Sequence, residues 1–334
     1  MTAGNNARPT TGALGDERSE LDLIRRLRPQ RQIVGMSAVL LPFRADGEVD
    51  WEGFEAHLSR TVAAGLAPAV NMDTGYVQII DAATRLRALE IAKQACDGSR
   101  FLAGAFVADR PGDAFDAGAY ERAMNEIAVA GGTPVIFPSW CLHGLQEAEW
   151  VDAHSHLGSV VDEFIGFELG TMFVSNGRVV SLDAYRELLT VPTCIGAKHS
   201  SLSRQLEWDR LAVRDEVRPD FLVLTGNDLA IDMVMWGSDY LLGLSTFAPD
   251  AFGLRDRLWL AGDPEFHQLN DLLQELGAFV FRAPVPGYRH DAAMFLHARG
   301  WIGHDGIAPG AVRRPESDRA VLADLAARIA EWVA

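Results

Sequence analysis

Apolar positions along this chain gather in short continuous runs, each followed by a longer stretch in which they recur at helical spacing. The runs are QIVGMSAVLLPF, PAVNM, FLAGAFV, TPVIFP, FIGFEL, TCIGAK, DFLVLTG and YLLGLS, and each reads as a strand. The stretches between them, 51–64, 82–96, 117–130, 146–160, 182–189, 201–214 and 228–236, read as helices. Continuous apolar strands are those of a parallel sheet covered on both faces. Eight strand–helix units in about 215 residues fit a closed (β/α)8 TIM barrel better than an open doubly wound sheet. The open sheet is the alternative, but no GxGxxG or GxxxxGK[ST] stands where it would hold a nucleotide. Beyond Phe247 only helical patterning remains, at 249–259, 264–276, 290–299 and 316–333, which is more than one barrel helix. The α/β barrel is therefore expected over 31–261, with a C-terminal helical extension over 262–334. It is preceded by a polar, partly disordered arm over 1–30 that holds a short helix at 21–27.

Charge narrows the partners. With 46 acidic and 30 basic residues the formal net charge is −16, a field that repels nucleic acid and anionic lipid. An anionic substrate would need local help. No apolar run approaches the eighteen or so residues of a membrane span, and the polar start contains no signal-like segment. The three cysteines, Cys96, Cys141 and Cys194, are odd in number and widely spaced, as expected of reduced thiols in a cytoplasmic protein.

In a barrel the chemistry sits at the carboxyl ends of the strands. Lys198 is the one cation among the residues that end these strands. Strand parity puts it on one face with Cys194 and Gly196, and puts Thr193, Ile195, Ala197 and His199 on the other. That small-residue face leaves room for a ligand. Imine chemistry needs the neutral amine, which at the ordinary pKa of about 10.4 is scarce at pH 7, and burial among apolar walls can lower it by roughly 3–5 units. The plainer reading is a lysine that ends a strand and reaches water. His154 and His156 lie two apart in a helical stretch, about 200° around the axis, so they are not expected to share a metal. Asp228 is expected to cap the helix after strand seven.

Five segments in order resemble the dihydrodipicolinate synthase / N-acetylneuraminate lyase family over residues 33–332: AVLLPFRADGEVDWEGFEAHL, MDTGY, CIGAKHSS, TGNDLAIDMVMWGSDYLLGLSTFAP and APVPGYRHDAAMFLHARGWI. The resemblance implies a class I aldolase that needs no cofactor or metal. It implies a homodimer or homotetramer whose Lys198 forms a Schiff base with a small 2-oxo acid such as pyruvate. It further implies that Thr74 and Gly75 hold the acid's carboxylate through hydroxyl and backbone N–H groups, beside Asp73, where the family has a threonine. Phe167 replaces the family's proton-relaying tyrosine, and Glu168 its asparagine. The arginine that holds a second carboxylate in true synthases has no counterpart in GTMFVSNG, so a lyase, hydratase or decarboxylase is expected rather than a synthase. Glu168 is the first candidate for proton transfer, with an ion pair or solvated strand end as its other reading. Tyr76 is a second candidate and His143, in a loop able to close the site, a third. Leu242, at the end of strand eight, completes the substrate-binding set. A barrel that has lost catalysis and serves in binding or assembly is the alternative.

Overall fold

A computed structural model describes residues 24–334. Residues 1–23 of the expected arm lie outside that range, and Arg28 in its remainder bonds through its backbone N–H to Met235 C=O at 2.8 Å. Eight parallel strands close into a barrel in chain order: β1 (Gly35–Ala38), β2 (Ala67–Val70), β3 (Leu102–Ala105), β4 (Thr133–Ile136), β5 (Phe164–Leu169), β6 (Cys194–Ser200), β7 (Leu222–Thr225) and β8 (Asp239–Leu242), which pairs with β1. The helices are α1 (Trp51–Ala63), α2 (Ala82–Cys96), α3 (Ala117–Val129), α4 (Trp140–Gly144), α5 (Glu147–Leu157), α6 (Leu182–Leu189), α7 (Arg204–Val217), α8 (Pro249–Ala261), α9 (Glu265–Val280), α10 (Tyr288–Ala298) and α11 (Asp318–Ala330). This is a (β/α)8 TIM barrel carrying C-terminal helices. The stretch expected as a helix over 228–236 is a tighter 3-10 turn, Ile231–Trp236.

Strand gives way to helix where a short polar side chain can take the first free N–H groups of the next turn. Asp81 accepts from Thr84 N–H at 2.7 Å, Asp116 from Ala119 at 2.9 Å and Ser203 from Leu206 at 3.3 Å. Ser139 does the same for Leu142 at 3.2 Å, which starts α4, a short helix that the apolar pattern did not foretell.

Two apolar layers result. Met36, Ala38, Ala69, Leu102, Val135, Ile165, Phe167, Leu224 and Leu241 fill the barrel, while a larger cluster fills the space between barrel and helices. Simple alternation fails in β6. Phe164 pairs with Cys194, but the next residue, Ile165, pairs with Gly196, so Ile195 is an extra residue in a bulge. Cys194 consequently packs in the outer layer and Ile195 against the barrel interior, the reverse of strict parity. After the bulge the alternation resumes, with Lys198 beside inward Phe167 and His199 beside outward Glu168.

Candidate active site

Lys198 is 8% exposed at the carboxyl end of β6, with its Nζ 4.6 Å from the centroid of the Phe167 ring on the adjacent strand. Among the described residues the amine makes no hydrogen bond and no ion pair. Burial lowers its pKa below the ordinary value, against an opposing pull from the carboxylates of Asp228 and Asp73. The space around its stem comes from Gly226, just beyond β7, where an added Cβ would lie 2.7 Å from Lys198 Cε and collide with Ser200 Oγ. Asp228 follows two residues later. Burial lifts its carboxyl to about 7, even against the attraction of Lys198. It does not cap a helix after β7: its Oδ1 accepts from Leu244 N–H at 2.7 Å, just beyond β8.

At the end of β2, Asp73, Thr74 and Gly75 form one 3-10 turn. Gly75 N–H is already taken by Met72 C=O at 2.9 Å, so it is not the free donor the resemblance implies. Among the described residues neither the Asp73 nor the Thr74 N–H has an acceptor, so both are open donors of this turn. The Thr74 hydroxyl meets the hydroxyl of Tyr288 at 2.9 Å, and Tyr288 in turn donates to Asp73 Oδ2 at 2.9 Å. With one proton on the tyrosine oxygen, Thr74 is the donor of that pair. Gln78 donates to Asp73 Oδ1 at 2.9 Å, and Arg289 lies 3.7 Å from the same carboxylate and 3.2 Å from Asp73 C=O. The charge of Asp73 is thus answered from the start of α10. Sequence reading did not single out Tyr288 or Arg289, whose helix lies more than two hundred residues from the turn it completes.

Glu168 is not in the mouth. Alternation turns it out of the barrel, where it is 1% exposed and receives two hydrogen bonds from Arg210 on α7, at 2.5 and 2.6 Å. His199 Nδ1 lies 2.8 Å away, and Val180 N–H donates at 3.0 Å. Burial alone would raise this carboxyl, but the bonds from Arg210 and His199 more than reverse it, to about 2. Its role here is the ion pair. Tyr76 likewise sits in the outer layer, edge-on to Phe43 at 5.4 Å and under Arg289 at 4.8 Å, with burial pushing its hydroxyl pKa far up. Leu242 also packs in that outer layer. His143 is buried, its Nδ1 2.8 Å from Asn176 C=O, and burial lowers its pKa. It tethers the segment after β5. The structure thus brings Lys198, Phe167 and the Asp73–Thr74–Gly75 turn to the barrel mouth, adds Asp228 and Tyr288, and removes Glu168, Tyr76 and Leu242. Among the described residues no group of three or more His, Cys, Asp or Glu side chains is placed to hold a metal.

No family sequence model and no curated protein matches the chain. Solved structures do. A prophage protein of the dihydrodipicolinic acid synthase family from E. coli K12, solved in complex with pyruvate, is 17% identical with a TM-score of 0.75, covering 89% of this chain and 98% of its own. Dihydrodipicolinate synthase from Thermotoga maritima is 15% identical with a TM-score of 0.74, covering 90% and 99%. The enzyme from Bacteroides thetaiotaomicron is 17% identical with a TM-score of 0.75, covering 89% and 98%. Since these likenesses run through barrel and C-terminal helices alike, the chain is built on the fold of the dihydrodipicolinate synthase family.

Proposed function

We propose that the protein is a Schiff-base-forming lyase that acts on a small 2-oxo acid through Lys198. The observation that carries this reading is the buried amine itself: lowered in pKa, without a hydrogen bond or ion pair among the described residues, and facing the mouth of a parallel barrel. The neutral amine adds to the C2 carbonyl, and with one proton taken up from solvent the adduct loses water to give a protonated imine. The imine withdraws electrons from C3, so a proton or a carbon substituent there can depart or join, and water then releases the product. The Thr74 N–H, held in a turn braced by Tyr288 and Asp73, suits the acid's carboxylate without adding a cation. Phe167 carries no proton to transfer. Asp228, the acid lifted to about 7 and coupled to Lys198, is the group best matched to that role near neutral pH.

Reductive trapping tests the reading. Borohydride with pyruvate is expected to leave a covalent adduct on Lys198 that is absent in Lys198→Ala, whereas no adduct with any 2-oxo acid overturns it. The sequestration of Glu168 and Tyr76, together with the missing hydroxyl at Phe167, favours a second reading: a barrel that binds 2-oxo acids without turnover. Carbon–carbon bond cleavage or formation by the purified protein excludes that reading.

A further inference from the structure

Three successive strands each bring a phenylalanine to the mouth: Phe106 just beyond β3, Phe137 just beyond β4 and Phe167 within β5. Phe106 and Phe137 meet edge to face, with centroids 5.8 Å apart at 74°, and Phe137 and Phe167 do so at 5.5 Å and 83°. Phe167 then carries the lysine amine on its face. The rings form an unbroken arc that ends at the reacting nitrogen. Phe137 and Phe167 are buried, whereas Phe106 is half-buried and so offers surface. The segment after β5 closes on the same cluster with half-buried Phe173 and Val174. It is held by Arg178 N–H on Leu169 C=O at 2.7 Å and by His143 on Asn176 C=O. Across the mouth, beyond β7, lies the acid Asp228, whereas Asp73, beyond β2 and next to β3, has Arg289 3.7 Å from its carboxylate. Arg85, the cation stacked on Phe106 at 5.4 Å, is tied through Nη1 to Ile80 C=O at 2.7 Å.

Building on the Schiff-base reading, we infer that the substrate's far end, beyond C3, is an uncharged apolar group, aromatic or aliphatic, seated on the Phe106–Phe137–Phe167 arc under Phe173 and Val174. A second carboxylate there would lie against ring carbons and face Asp228 across the mouth. The hydroxyls of a sugar chain would lose water against ring carbons without replacement bonds. A ring, by contrast, would extend an edge-to-face series already laid down.

The test is reductive trapping of the full chain with three probes: pyruvate, 4-phenyl-2-oxobut-3-enoate and a 3-deoxy-2-oxo sugar acid. The phenyl acid is expected to half-saturate adduct formation at a concentration at least about tenfold below the sugar acid, the order one apolar contact surface can supply. In Phe106→Asn, a change at the half-exposed end of the arc, that gap is expected to narrow to within about threefold. Adduct with pyruvate but equal or better capture of the sugar acid, or a gap unmoved by Phe106→Asn, overturns the apolar subsite and leaves the Schiff-base reading standing. No adduct with any of the three overturns both.

Discussion

At the scale of single residues the site turns on how far Lys198 is kept from its ordinary charge. Since burial lowers its pKa, the acid limb of trapping rate against pH is expected below the value of about 10.4 for an exposed lysine. Asp228 acts in the opposite sense, favouring the ammonium. Asp228→Asn is therefore expected to move that limb to lower pH, and a shift upward would contradict the electrostatic assignment. Gly226 is as exacting as the lysine. Gly226→Ala inserts a methyl against Ser200 Oγ and the lysine stem, so adduct formation is expected to fall at least about tenfold in a protein whose circular dichroism is unchanged. Lys198, Thr74 and Phe167 could be found in the sequence because each ends an apolar run in a local motif. Which face each neighbour takes could not. Cys194, Gly196 and Ala197 are small enough for either face, and nothing in CIGAK marks Ile195 as the bulge.

Among the elements, β5, β6 and α7 are tied by the buried Glu168–Arg210–His199 group. Glu168→Leu leaves Arg210 buried without its partner and is expected to cost about 3–5 kcal/mol in urea unfolding at pH 7. Its folded pKa is depressed, from 4.5 to about 2, so the carboxylate's contribution is full above pH 4.5 and is lost as pH falls toward 2. The stability curves of wild type and variant are expected to converge in that window. Folded Glu168→Leu should still be trapped on Lys198, and loss of trapping with stability intact would return this residue to the chemistry. The sequence shows a lone acid on an apolar strand, which fits either role. Its partner is hidden within RQLEWDRLAVRDEV, where a buried arginine reads like any residue on a solvated helix face. Strand–helix alternation, by contrast, was plain, because the eight apolar runs each declare themselves locally.

For the molecule as a whole, the C-terminal helices reach the candidate site. Tyr288 crosses 214 residues of chain to reach Thr74. Tyr288→Phe removes one hydrogen bond at each end of that link, about 1 kcal/mol for the turn's geometry, and is expected to raise the half-saturating pyruvate concentration roughly fivefold with the final adduct yield unchanged. An unchanged concentration would mean that Thr74 does not hold substrate. No sequence pattern announces this contact, since a tyrosine at the head of an amphipathic helix is ordinary core material. No helix of the described residues is long and apolar enough to cross a membrane. One consequence of the Tyr288 link concerns synthesis. A ribosome that has released all eight strands has still not made the side chain that hydrogen-bonds Asp73, so under the proposed function a nascent barrel would meet 2-oxo acids with its carboxylate grip unfinished, and competence would arrive only with the last fifth of the polypeptide.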